Sequence, residues 1–336
     1  MAVEKVALVT GGNAGIGLTL CVRLLTTHAN LRLCLACRSK VRGEAAVSAL
    51  RLSHPGSDIS LVILDTSCLQ SVHKAAVEIR GKYEHLDYVY LNAGIMPVST
   101  VNWSNFWQDL FSRKCIHMFA TGEGLLRQVD GTSPDGLTKI FATNLFGHFI
   151  LIKELEGIMG GNSEQQSTQI IWTSSSNAKK GSFDANDIQH QHGSEPYSSS
   201  KYASDLVSVA INDRLNHKHI YSHTTCPGLV MTNLTYGILP SWFWYLVLPL
   251  LWLLRLFTGS MTQSPYNGSE ALLWLSLQEP ESLDPLMKYH SRVSILGNRY
   301  VEAVKMDLTR ASAKDTYKKL SDLENEYRSR YSQSSS

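Results

Sequence analysis

Lys5–Thr10 (KVALVT) is a short aliphatic run that passes directly into Thr10-Gly11-Gly12-Asn13-Ala14-Gly15-Ile16-Gly17. A helix-period stretch, Ile16–Thr27, follows at once. Glycines let the backbone turn tightly and approach a diphosphate. The helix start then offers free N–H groups and a positive dipole end to the anion. A glycine-rich turn alone is weak evidence, but between a first strand and a helix it marks a nucleotide-binding βαβ unit.

The same alternation continues along the chain. Leu31–Ala36, Ile59–Leu64, Tyr88–Asn92 and Gln169–Thr173 read as buried strands, each short, aliphatic and closed by a polar or small residue. Arg42–Leu52, Ser67–Tyr83 and Leu137–Leu155 carry the helical period between them. Strand–helix alternation of this kind predicts an α/β fold with a doubly wound parallel sheet, the Rossmann fold. The expected organisation is one catalytic domain over residues 1–312. It carries an insertion at 97–136 and an apolar lid or membrane segment at 238–257. A charged C-terminal helix (Lys314–Tyr331) and Ser-rich end occupy 313–336, expected to be solvated and partly frayed.

Bulk properties remove several classes of function. The formal net charge of the 336 residues is only +2, with no basic stripe, so nucleic acid is not an expected partner. The cysteines (21, 34, 37, 68, 115 and 226) are scattered, which predicts reduced thiols. Cys34 and Cys37 form a CxxC, but inside a strand-like run with no second ligand pair. His190/His192 and His217/His219 lie in polar stretches without acidic partners, so no metal is expected. A strand begins almost at the N-terminus, so no cleavable signal peptide is expected.

Residues at the carboxyl ends of the strands converge on the ligand in such sheets. Asp65 ends the third strand, where a carboxylate can accept from an adenine amino group. Asn92-Ala93-Gly94 ends the fourth, where small residues let the chain pass an adenosine. After the second strand comes Arg38, with Ser39 and Lys40, rather than an acidic residue. A guanidinium fork suits a ribose 2′-phosphate, so NADP(H) is the expected cofactor, although position 13 is Asn rather than a basic residue.

Tyr197-Ser198-Ser199-Ser200-Lys201 opens a helical stretch, placing the phenol and the ammonium at i and i+4 on one face. A free tyrosine titrates near ~10, and a neighbouring Lys⁺ is expected to bring the phenol down toward a useful range. Tyr197 would then give a proton to a carbonyl oxygen, and Lys201 would also hold the nicotinamide ribose. A serine at the end of the fifth strand can hold the substrate oxygen. Ser175 is chosen here, with Ser174 as the alternative. Asn144, in Thr143-Asn144-Leu145-Phe146-Gly147, interrupts an apolar helix, either to hold a water that resupplies protons to Lys201 or as an ordinary helix-face amide.

Together TGxxxGIG, NAG, TNxxG, strand-Ser-Ser, YxxxK and Cys226-Pro227-Gly228…Thr232 resemble the short-chain dehydrogenase/reductase family over roughly residues 3–235. That resemblance implies catalysis by Tyr197, Lys201, Ser175 and Asn144. It implies cofactor binding by Thr10, Gly11, Asn13, Gly15, Ile16, Gly17, Arg38, Asp65, Asn92, Ala93, Gly94, Tyr197, Lys201, Pro227, Gly228 and Thr232. One departure is the 22-residue separation of Ser175 from Tyr197, longer than in minimal members, which leaves the choice of serine open. LNAGIMP, FGHFILI, IWTSS, EPYSSSKYA and NLTYGILP resemble more narrowly the keto-steroid reductases of that family. The implied activity is NADPH-dependent reduction of a sterol 3-ketone in cholesterol synthesis, and of the 17-ketone of estrone. The rival readings are a retinal or other lipid-carbonyl reductase and a non-catalytic NADP-binding scaffold. Homo-oligomerisation is left open.

Ile238–Phe257 (ILPSWFWYLVLPLLWLLRLF) is long enough to cross a bilayer core of ~30 Å. Pro240, Pro249 and Arg255 disfavour a clean span, while Trp242, Trp244 and Trp252 suit a membrane interface. The expectation is monotopic attachment to the endoplasmic reticulum membrane lipid, with the catalytic domain in the cytosol and the sequons at Asn102, Asn233 and Asn267 unglycosylated.

Overall fold

A computed structural model describes residues 4–96, 98–101, 126–161, 166–230 and 262–334, together with Ser104, Gln108 and Ser112. The elements run β1 (Lys5–Thr10), α1 (Gly15–Thr27), β2 (Leu31–Cys37), α2 (Lys40–Ser53), β3 (Ile59–Ile63), α3 (Leu69–Lys82) and β4 (Tyr88–Leu91). Within the insertion, β5 (Val98–Val101) and β6 (Leu126–Gln128) pair as a separate antiparallel ribbon. Then come α4 (Lys139–Phe141), a π-turn (Ala142–Phe146), α5 (Gly147–Leu155), β7 (Thr168–Thr173), α6 (Pro196–Leu215) and β8 (Ile220–Cys226). The chain closes with α7 (Pro265–Gly268), α8 (Glu270–Leu275), β9 (Met287–Val293), β10 (Arg299–Lys305) and α9 (Arg310–Ser334).

The main sheet has the order β10-β9-β8-β7-β4-β1-β2-β3. Every pairing from β3 to β9 is parallel, and only β9–β10 is antiparallel. The order runs outward in opposite directions from β1 and β4, so the switch point lies between Thr10 and Asn92, where such sheets open a crevice. Alternation along the strands supplies both faces of the core. Val6 and Leu8 of β1 pack with α3, α5 and α6, while Ala7 and Val9 pack with α1, α2 and α8. Cys34 and Cys37 follow the same rule: Cys34 belongs to the first layer, and Cys37 faces Gly43 of α2 in the second.

The five strands expected from aliphatic runs form within a residue or two of their expected limits. The strands β8, β9 and β10 carry no such run. The C-terminal helix departs from expectation. Its charged side is solvated, but Ala313, Thr316, Leu320 and Glu324 form a buried stripe. Tyr317 stacks edge-on against Phe149 at 5.2 Å, and Tyr327 lies edge-on to Phe146. Glu324 is paired by Lys153 and Arg328, which lets a carboxylate lie in the interface. The apolar segment 238–257, Thr232, Asn102 and Asn233 lie outside the described residues.

Candidate active site

The crevice at the switch point is a cleft of about 750 Å³. Thr10, Gly11, Asn13, Gly15, Ile16, Arg38, Asp65, Asn92, Ala93, Gly94, Tyr197, Lys201 and Pro227 all line it. Gly17, Asn144 and Ser175 do not line it, whereas Ser174, the alternative serine, does. Gly228 follows Pro227 with φ +74°, a conformation that favours glycine.

The glycine turn is built for close approach. Gly11 has φ +67° and touches Ala93, so a Cβ there would lie 3.1 Å from the Ala93 Cα. At Gly17 a Cβ would lie 2.4 Å from the Gly11 carbonyl oxygen, so this residue serves helix packing rather than ligand contact. Ala14 caps α1 without a side-chain bond, and no acidic residue lies in the first turn, which leaves the N-terminal amides for a ligand. Thr10 ties the turn to β4: its hydroxyl accepts from the amides of Asn92 (2.9 Å) and Ala93 (3.0 Å).

Arg38 and Ser39 lie at the far end of the cleft, and Arg42 lies beside them. The Ser39 hydroxyl caps α2 by accepting from the Arg42 amide, so Arg42 sits in the first turn. A second guanidinium here went unread in the sequence, although the Ser39 cap was the available signal. The Asp65 carboxylate accepts from the Ser67 amide (2.9 Å) and hydroxyl (2.7 Å), which holds it at the cleft wall.

At the other end, the helix expected over Leu137–Leu155 is broken by the π-turn that carries Asn144. Such turns recur at functional sites. Asn144 accepts from the Ile95 amide (2.8 Å) and donates to the Ile95 carbonyl (3.0 Å) and the Ser200 hydroxyl (3.1 Å). Its amide therefore ties the β4 exit to α6. Gly147 makes the turn fit, since a Cβ there would lie 1.9 Å from the Thr66 carbonyl oxygen. His148, missed in the sequence although four residues after Asn144, is fully buried. Its Nδ1 lies 3.4 Å from the Asn144 carbonyl, and its Nε2 lies 3.1 Å from the Thr10 hydroxyl. Burial pushes this ring down to about 3, so it stays neutral and links the π-turn to the glycine turn.

Lys201 donates to the Thr173 carbonyl (2.7 Å), and its ammonium lies 5.8 Å from the centre of the Tyr197 ring. The expected lowering of the phenol by this lysine is not what the site does. Burial pushes Tyr197 up to about 12, partly offset by a hydrogen bond with Ser175. Burial also pushes Lys201 down to about 8, against the pull of Asp205. A low-dielectric pocket disfavours both charged forms, and that effect exceeds their mutual attraction here. The two serines take different places: Ser175 lies beside the phenol and accepts from the Asn177 amide (3.0 Å), whereas Ser174 is buried at the cleft wall, near the Lys201 carbonyl and Asp205.

A strand–glycine–helix cradle and a Tyr–Lys–Ser group at one switch point define a dinucleotide-dependent oxidoreductase site. The family model for short chain dehydrogenases matches residues 5–133 and 124–240, and the chain belongs to that family. It is 53% identical over 325 residues to the 3-keto-steroid reductase/17-beta-hydroxysteroid dehydrogenase 7 of Rattus norvegicus, covering 97% of each chain. It is 31% identical to a 3-keto-steroid reductase of Schizosaccharomyces pombe, covering 92% of each. Among solved structures, a singly substituted actinorhodin polyketide ketoreductase with NADPH shares the fold at TM-score 0.59 and 19% identity. That alignment covers 85% of this chain and 95% of the ketoreductase.

Proposed function

We propose that this chain reduces the ketone of a sterol or steroid with NADPH, using Tyr197 as proton donor and Ser175 to hold the ketone oxygen. The observation that carries this reading is that Tyr197 and Lys201, with Ser175 beside the phenol, stand at one end of the cleft whose other end presents Arg38 and Arg42. The sterol class is supported by the names of the rat and fission-yeast relatives. The glycine cradle fits a diphosphate, since Gly11 and Gly15 line the cleft with positive φ and the first amides of α1 carry no side-chain cap. Arg38 and Arg42 would hold the 2′-phosphate, Asp65 the adenine amino group, and Lys201 the nicotinamide ribose. The chemistry NADPH supplies when bound is a hydride for the ketone carbon. As negative charge grows on the ketone oxygen, Ser175 stabilises it by hydrogen bonding and Tyr197 donates its proton to it. A phenol held near 12 is fully protonated at neutral pH, which is the form a donor needs. Asn144 positions Ile95 and Ser200 around this group and acts as a positioning residue. The test is NADPH oxidation by the purified protein with a 3-ketosterol, estrone and retinal. Oxidation with a 3-ketosterol or estrone is expected to exceed that with retinal, and the reverse order would overturn the substrate class.

We infer that residues 238–257 attach the protein to the cytosolic face of the endoplasmic reticulum membrane. Among the described residues no helix is long and apolar enough to cross a membrane. The flanks of the apolar stretch are joined: the Gln263 amide donates to the Leu229 carbonyl (2.8 Å), and Thr262 donates to the carbonyls of Pro227 and Leu229. Chain leaving at Val230 therefore returns beside its exit, and β9 pairs with β8 in the same sheet. One crossing would separate those strands. Asn267 donates to the Thr262 carbonyl, and Ser269 of its sequon is fully buried, which fits an unglycosylated site. Alkaline carbonate extraction should leave the protein in the membrane pellet with no glycosidase shift. Recovery in the soluble fraction, or a glycan on Asn267, would overturn this reading.

A further inference from the structure

We propose that Lys288, on a strand outside the motif-bearing segments, is a positioning residue for carbonyl reduction. Together with Asp205 it fixes the Ser175 loop against Tyr197 and sets the charge beside Lys201. The inference rests on the roles given above to Ser175, Tyr197 and Lys201. Lys288 lies in β9 opposite Thr224 of β8, and its ammonium is almost wholly withdrawn from water. It pairs with the Asp205 carboxylate at 2.6 Å. It also donates to the backbone carbonyl of Ser175 at 2.9 Å, the residue whose hydroxyl meets the phenol.

Asp205 follows Lys201 by one helical turn on α6, so the two share a face. Ser174, the serine immediately before Ser175, lies beside this carboxylate, with its hydroxyl 3.5 Å from the Lys201 carbonyl. One ion pair thus joins β9, α6 and the exit of β7 at the reacting group. Burying two charges is unfavourable unless their geometry is excellent, and an apolar pair of similar volume often serves stability as well. The orientation of the pair gives a more specific return, because a small displacement of a reacting group carries a large rate penalty.

The groups that face Lys201 are Asp205 and Tyr197 on α6, Lys288 on β9, Cys226 on β8 and His148 on α5. His290, on β9, lies close enough to feel Lys288. Asp205 favours the ammonium form of Lys201, while Lys288 opposes it. Removing the Asp205 charge alone must therefore move the loss of the Lys201 proton to lower pH.

The experiment compares Lys288→Arg, Asp205→Asn and the double variant Lys288→Met/Asp205→Asn with the full chain in NADPH-dependent ketosteroid reduction. The double variant removes both charges of the ion pair, and its thermal midpoint guards against simple unfolding. Its kcat is expected to fall about tenfold or more, with the KM for NADPH little changed. Asp205→Asn should shift the alkaline limb of kcat/KM to lower pH, and Lys288→Arg should keep both the limb and most of the turnover. A double variant with wild-type kcat, or an Asp205→Asn protein with an unmoved limb, would overturn the proposal. Tyr197→Phe run alongside separates the two readings. If it turns over normally, the reading of the site falls; if it is inactive while the double variant is normal, only the role of Lys288 falls.

Discussion

The half of the molecule around β1–β3 and the half around β7–β9 bury different kinds of residue. In the first, Ala7, Leu8, Val9, Leu33, Leu35 and Ala36 fill the strands, and glycine backbone shapes the site. In the second, β8 buries Ser222, His223, Thr224 and Thr225, and α6 buries Ser198, Ser199, Ser200, Lys201, Ser204, Asp205, Ser208 and Asn212. Some of these groups bond one another: Ser208 bonds Ser222, Trp172 donates to Ser222, and Thr225 donates to the Trp172 carbonyl, while the Ser199 hydroxyl, Asp205 Oδ1 and His223 Nε2 have no protein partner among the described residues. Binding an anion needs amides and room, which apolar packing around glycine supplies. Moving a proton needs oriented side chains in a low dielectric, which a buried polar interior supplies.

The largest expected effect separates the halves by acid. His148, His223 and His290 are buried in the second half and pushed down to about 3, 4 and 3 by burial. The described residues of the first half hold no fully buried histidine. An unfolded chain takes up these protons near ~6.5, whereas the folded one resists until far lower pH. Their contribution is therefore complete above about pH 6.5 and drains below it by on the order of 1.4 kcal/mol per pH unit per histidine. Urea denaturation should show a loss of roughly 6 kcal/mol between pH 7.5 and pH 5. An unchanged midpoint would break the contrast.

Tyr197→Phe comes next. Reductive turnover should fall by about 10²–10⁴-fold while fluorescence titration shows NADPH binding intact, because the cradle lies in the other half. Loss of both activities together would mean the halves are not separable. Leu320→Ala tests the helix that covers the second half. Leu320 is fully buried, so chemical denaturation should report a loss of about 2–5 kcal/mol. A solvated helix would lose almost nothing. Arg38→Asp is the smallest. It should lower NADPH efficiency relative to NADH by about tenfold or more, with thermal stability unchanged, and Arg42→Ala should act in the same direction but less. An unchanged cofactor ratio would make Arg38 an ordinary surface residue.

The sequence by itself determined the parallel sheet on its glycine-turn side, the cradle, Arg38, and the Tyr197–Lys201 spacing. All depend on backbone conformation or on residues close along the chain, where periodicity and turn chemistry act directly. It preferred Ser175 and kept Ser174 as the alternative. Only the tertiary structure set Ser175 beside the phenol and Ser174 at the cleft wall near Asp205. Strands β8 and β9 (IYSHTTC and MKYHSRV) are too polar to read as buried strands, and become so by pairing into the sheet, where Ser222, Lys288 and Ser291 find partners. The C-terminal helix likewise looks solvent-borne until Phe146, Phe149 and Lys153 meet its inner face. The rise of Tyr197 and the fall of Lys201 belong to the same class of result. A desolvation penalty depends on what the whole fold places around a group, and no local spacing encodes it.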